Sequence, residues 1–431
     1  MISRYTLPEM GALWTDEAKY RSWLEVEIEA ARAMARGGII PSKAFKVIEK
    51  KAAFDVARID AIEAEVNHDV IAFLTSVAEF VGEEAKYLHF GMTSSDVLDT
   101  ALSLNIKRAS AIIDKKVTKA LAAIKKLALK YQLTPCMGRT HGVLAEPMTV
   151  GLKFAVWYSE LQRRQKTFRT AAESVAVGKI SGAVGNFANL DPVIEAAVCR
   201  KLGLTPAPVS TQVVQRDRHA EFLTSLALMG SSIEKFATEV RSLQRTEIGE
   251  MAEGFSKNQK GSSAMPHKKN PITAERLTGI ARLLRGYSIS AMENIPLWGE
   301  RDIAHSSVER VIIPDATIII DYGLQKFIDL LRGLVINEKR MMENIFYRGG
   351  VVFSQRLLLR LTGPVGSREV AYRIVQRNAM AASEGKGLFR ELVKHDPEVR
   401  RHLGEAEIDR CFDLEYYTKN VGKIFKRVFG Q

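Results

Sequence analysis

Apolar residues that keep helical spacing far beyond the length of an ordinary helix constrain this chain more than any other feature. Leu98, Leu102, Ala109, Ile113, Ala120, Ile124, Leu127 and Tyr131 recur at that spacing, over a stretch of about 36 residues or about 54 Å of helix. Such a rod buries its stripe only against partners of similar length. The spacing predicts them: a second helix from Met148 to about Val175 with Pro147 in its first turn, and a third from about Arg216 to Met251. In the third, Phe222, Leu226, Met229, Ile233, Phe236, Val240 and Leu243 alternate steps of four and three, the seam of a bundle. A fourth follows from Ile272 to about Met292, and a fifth from about Ala304 to Val335 holds Pro314, expected to kink it.

Before the rods, Leu13 to about Met34 and Pro41 to about Phe80 read as helix; after Asn337 the helices shorten. The expected class is therefore all-α, in three helical domains: 1–93, a central long-helix bundle 94–340, and 341–431. Apolar positions on more than one side of the rods predict that copies of the chain complete the bundle, a homo-oligomer.

Composition narrows the function classes. With 46% hydrophobic and 26% charged residues the 431-residue chain is a folded protein, and its apolar runs are too short and charged for a membrane span. Cys136, Cys199 and Cys411 are an odd, scattered set, and Met1-Ile2-Ser3-Arg4-Tyr5 opens no export signal, which points to reduced thiols and a cytoplasmic home. The net charge of +12 suits nucleic acid or small polyanions. Basic residues are interleaved with acids and no aromatic-basic motif appears, so the expectation is no nucleic acid and a small anionic substrate. The eight histidines lack ligand spacing, and there is no phosphate or dinucleotide fingerprint, so no metal and no cofactor is expected. The chemistry left is proton transfer with charge stabilisation.

The stretch Gly261-Ser262-Ser263-Ala264-Met265-Pro266-His267-Lys268-Lys269-Asn270-Pro271 gathers a glycine, two hydroxyls, cations and two prolines. It reads as a loop feeding a helix, with Asn270 as N-cap and Pro271 at the first helical position, where backbone N–H groups and Lys268 can hold an anion. Residues 253–260 before it lack periodicity and are expected to be mobile. His141, between Gly138 and Gly142 in the break after the first rod, is expected at a helix end, polar on both sides, which favours a working histidine. Thr93 and Ser94 stand in a Gly-containing turn that is either plain helix capping or an anion site. Arg301, Ser306 and Arg310 gather at a helix start, either a phosphate clamp or a solvated face salt-bridged through Glu309. Gly178, Gly182 and Gly185 with Lys179 read as a tight connection.

The 261–271 loop resembles the signature loop of the fumarase/aspartase superfamily, and its Met-Pro-His-Lys form is similar to the branch that releases fumarate from succinylated purine nucleotides. The resemblance extends along essentially the whole chain and implies a carbon–nitrogen lyase of purine synthesis. It implies a homotetramer with sites shared between subunits, and a serine base in the loop, Ser262 or Ser263, with motif alignment favouring Ser262. It implies that His141 is the general acid and that His68, in Asn67-His68-Asp69, assists catalysis; Lys268 is expected to join them as the point charge that stabilises the dianionic intermediate. Substrate binding is implied for Arg4, Tyr5, Asn67, His68, Asp69, Thr93, Ser94, Gln212, Lys268 and Asn270, and for Arg301, Ser306 and Arg310 at the phosphate and carboxylates. Two alternatives stand beside it: a sister lyase or cycloisomerase acting on a non-nucleotide acid, and a non-catalytic helical scaffold.

Overall fold

Five long helices dominate the structure, a computed structural model that describes residues 1–255 and 260–430. Residues 256–259, part of the stretch expected to be mobile, lie outside the described residues. The helices are α1 Ser94–Lys130, α2 Val150–Val175, α3 Asp217–Gln244, α4 Ile272–Glu293 and α5 Ala304–Gly333. The class is all-α: the strands among the described residues form three two-stranded pieces only. By spatial proximity the chain divides into two compact units, one of Met1–Lys119, Gln162–Lys235 and Arg276–Phe327, the other of Ala120–Leu161, Phe236–Glu275 and Ile328–Gln431. This partition groups residues by neighbourhood, whereas the three segments expected above follow position along the chain.

In the first unit the helix Asp16–Arg36 starts where Thr15 accepts the Ala18 N–H at 3.2 Å, and it buries Tyr20 and Trp23. Tyr20 stacks on Phe73 at 5.9 Å and Trp23 meets the same ring edge-on at 5.5 Å. Val97, Ala101, Ile194 and Val198 close this core. The stretch 41–80, expected as continuous helix, is three helices, Ser42–Lys51, Val56–Val66 and Asp69–Val81. Asn67 ends the second in the left-handed region (φ 52°), and His68 caps the third by accepting the Ile71 N–H at 3.3 Å. The break arises because a side chain that caps the next helix competes with continuing the previous one. Pro314 sits inside the uninterrupted α5, where the Thr317 hydroxyl donates to the Ile313 carbonyl at 3.0 Å.

In the second unit a hairpin, β1 Pro135–Thr140 and β2 Val143–Thr149, occupies the place where the second helix was expected to begin. Pro147 is a strand residue paired with Met137, and α2 starts only at Val150. Arg139 anchors the hairpin by two bonds to buried Glu250, at 2.5 and 3.0 Å, and Asn344 donates to the same carboxylate at 2.7 Å. The third helix stops at Gln244, short of Met251, which instead pairs with Ile336. The short C-terminal helices pack around Phe353, Leu357, Leu361, Phe389 and Phe412, with Met137 of β1 in the same core. All three cysteines are buried and unbridged.

Candidate active site

The candidate residues fall into two groups, one in each unit. His141 and Gly142 form a two-residue hairpin loop in which both φ angles are positive, 55° and 78°. This is the backbone that tight hairpins require, so His141 is presented, exposed, at a tip rather than at a helix end. Gly138 lies at a register shift, and a Cβ there would meet the Glu146 carbonyl at 2.9 Å.

The 261–271 loop is held by its own polar groups. Ser262 Oγ accepts the N–H groups of Met265 at 3.1 Å and Ala264 at 3.3 Å. Asn270 Nδ2 donates to the Gly261 carbonyl at 2.9 Å and closes the base of the loop. Gly261 is obligatory, because a Cβ would stand 2.1 Å from the Lys268 carbonyl. Asn270 is therefore not the N-cap. The first carbonyl of α4 to accept belongs to Pro271, and the cap is the carboxylate of buried Glu253, which accepts the N–H groups of Ala274 at 2.5 Å and Thr273 at 3.1 Å. Those helix donors are taken, so an anion at this loop meets the loop's own N–H groups and the exposed Lys268.

The other group lies in the first unit. Arg310 donates to Asp69 at 2.5 Å and faces Ser306 Oγ at 3.4 Å. Arg301 donates to Gln212 at 3.0 Å, and Gln212 donates to the Ala183 carbonyl at 3.1 Å. His68 accepts at Nδ1, which puts the proton of its neutral ring on Nε2. Thr93 donates its N–H to Asp96 at 2.8 Å just before Ser94 opens α1. Arg4 and Tyr5 form a short turn whose Tyr5 ring lies 5.1 Å from Tyr322. The glycine-rich connection wraps a carboxylate of the chain itself: buried Asp96 takes the Lys179 ammonium and the N–H groups of Ser181 and Gly182.

Two arrangements escaped the sequence reading. His89, strained at φ 57°, bonds buried Glu27 at 2.6 Å; burial opposes its charge, but the carboxylate wins and raises its pKa. The second joins residues far apart in the chain. Arg216 grips Asp99 with both terminal nitrogens, at 2.7 and 2.9 Å, and its Nε lies 3.1 Å from Glu309 without hydrogen-bond alignment. Burial works against ionised Asp99, yet the Arg216 charge holds its carboxyl below the ordinary range. Burial pulls His219 down to about 3 and His305 to about 4, with Arg216 adding to both. Glu309, read above as part of a solvated face, is buried.

A family model described as "Lyase" matches residues 3–286, and one described as "Adenylosuccinate lyase C-terminus" matches residues 350–428. An adenylosuccinate lyase of Bacillus subtilis is 50% identical over 428 residues, covering 99% of each chain. One from a Synechocystis species is 51% identical over 430 residues, covering 99% of this chain and all of its own. Among solved structures, a fumarate lyase from a Mesorhizobium species superimposes with a TM-score of 0.91 at 28% identity, covering 100% of this chain and 99% of that one.

Proposed function

The chain belongs to the adenylosuccinate lyases of the fumarase/aspartase superfamily, and from that premise we propose how its own residues carry out β-elimination of fumarate. The substrates are adenylosuccinate, which yields AMP, and succinylaminoimidazole-carboxamide ribotide, which yields the carboxamide ribotide, both in cytoplasmic purine synthesis. The hard step is removal of a weakly acidic proton from the carbon beside a carboxylate, because it leaves a carbanion spread into that carboxylate. Ser262 takes this proton as an alkoxide. The C–N bond then breaks with its electron pair on nitrogen, and His141 delivers a proton to that nitrogen.

The observation that carries the assignment is the pair of N–H groups donated to Ser262 Oγ, since donors aimed at that oxygen stabilise its anion more than its neutral hydroxyl. It also favours Ser262 over Ser263. Lys268 supplies a point charge for the dianionic intermediate and Asn270 keeps the loop closed on Gly261. Arg301, Ser306 and Arg310 hold the phosphate and carboxylates, with Arg4, Tyr5, Thr93, Ser94 and Gln212 around them. His68, between Asn67 and Asp69, offers an Nε2 proton to the substrate. The enzyme works as a homotetramer with sites shared between subunits.

Ser262→Ala is expected to lower kcat by at least about a thousandfold while KM changes by less than about threefold. Ultraviolet detection of fumarate release from adenylosuccinate measures both. A Ser262→Ala enzyme of near-normal kcat overturns the assignment.

A further inference from the structure

A cleft of about 380 Å³ in the first unit brings the arginine clamp and the buried ion cluster into one wall: Arg216, Arg301, His305, Ser306, Glu309 and Arg310 all line it. Its other charges are balanced locally. Lys19 is paired with Asp16 at 3.0 Å, and Arg216 has both terminal nitrogens on Asp99. Arg301 and Arg310 remain, with one arm of Arg310 on Asp69, which is not part of the cleft wall. Against them stands Glu309, 6% exposed. The charged groups that act on it are Asp99 from α1 and Arg216 at the start of α3; His219 lies against that same pair, and His305 sits one turn back on α5. Among the described residues the cation that meets its carboxylate is Arg216, which is already committed to Asp99, and the 3.1 Å approach of Arg216 Nε is not a hydrogen bond.

We propose that Glu309 is a specificity-determining residue for the bound anion: its proton leaves the cleft with the full positive charge of the clamp, and losing that proton loosens the clamp's hold on a phosphate. Two carboxylates competing for one guanidinium in a buried site cannot both be well compensated, so one of them carries a proton. Asp99 holds the fork and is the ionised member. Burial pushes Glu309 up to about 7, against the pull of Arg216 and with Asp99 pushing the same way. The balance therefore tips near neutral pH. Ionised Glu309 adds a negative charge within the wall that must receive a doubly charged phosphate, and low-dielectric surroundings make that repulsion costly.

This inference rests on reading Arg301, Ser306 and Arg310 as the phosphate clamp. The test compares the wild type with Glu309→Gln and, as a second neutral variant of similar volume, Glu309→Met. Adenylosuccinate kcat and KM are measured from about pH 6 to about pH 8.5. Because all the enzymes see the same ligand, the ionisation of its phosphate cancels in the ratios. The ratio of wild-type to variant KM is expected to rise from near one to about tenfold across that range, while the kcat ratio stays flat.

In parallel, the rise in unfolding temperature produced by millimolar inorganic phosphate is expected to fade in the wild type above about pH 7 and to persist in the variants. Failure to turn over adenylosuccinate, with the phosphate effect as described, would overturn the functional reading and leave the Glu309 inference standing. A phosphate effect with the same pH dependence in all three proteins, or variants with raised KM at every pH, overturns the inference itself.

Discussion

Buried imidazoles give this protein an acid limit. His219 is 2% exposed with its pKa pulled down to about 3, so the unfolded chain binds a proton there that the folded one refuses. The stability tied to neutral His219 is fully present above about pH 6.5 and is lost as pH falls toward the folded value. His219→Leu, similar in volume and unable to charge, is expected to lose less stability than the wild type between about pH 6.5 and pH 4.5, by about 2–3 kcal/mol. Urea unfolding midpoints across that range check it; parallel curves refute it. None of this was legible in the sequence. Arg216 and Asp99 are 117 residues apart, and their pairing exists only because the fold brings the start of α3 against α1. The loop residues Ser262, Lys268 and Asn270 stood out because glycine, proline and hydroxyls in an otherwise helical chain announce themselves locally.

At the scale of elements, the sequence showed helices well where periodicity ran long and poorly at their ends. The four-and-three seam of α3 marked its body, but the helix stops at Gln244 and Met251, expected within it, pairs with Ile336, a partner no local window contains. The hairpin at 135–149 went unseen for a similar reason: Arg139 finds its anchor in Glu250. The start of α4 is the plainest case, since its cap arrives from Glu253 rather than from a neighbour. Glu253→Ala is expected to lower stability by about 1–2 kcal/mol, and Glu253→Gln, which keeps one acceptor, by less. Chemical denaturation of the three proteins decides this, and equal stabilities would show that the carboxylate does not cap. Gly261→Ala acts on the neighbouring element. With a Cβ 2.1 Å from the Lys268 carbonyl the loop must reshape, so activity is expected to fall at least about a hundredfold while the unfolding temperature moves little. A Gly261→Ala protein of full activity would mean that the loop's closed base is dispensable.

For the whole molecule, the faces left open by the first unit support the proposed tetramer. Leu283, Ile289 and Met292 on α4 and Val311 on α5 are 45–60% exposed, apolar side chains that neighbouring copies of the chain would cover. Light scattering is expected to give four times the chain mass at micromolar concentration, and a monomer would overturn the assembly. The buried thiols have a practical use. Cys199 belongs to one compact unit and Cys136 and Cys411 to the other, and burial raises all three thiol pKa values, to about 12 for Cys199 and Cys136. A native sample should therefore ignore alkylating reagents, and each modified sulfur, located by mass spectrometry, would time-stamp the moment its own half of the chain first came open.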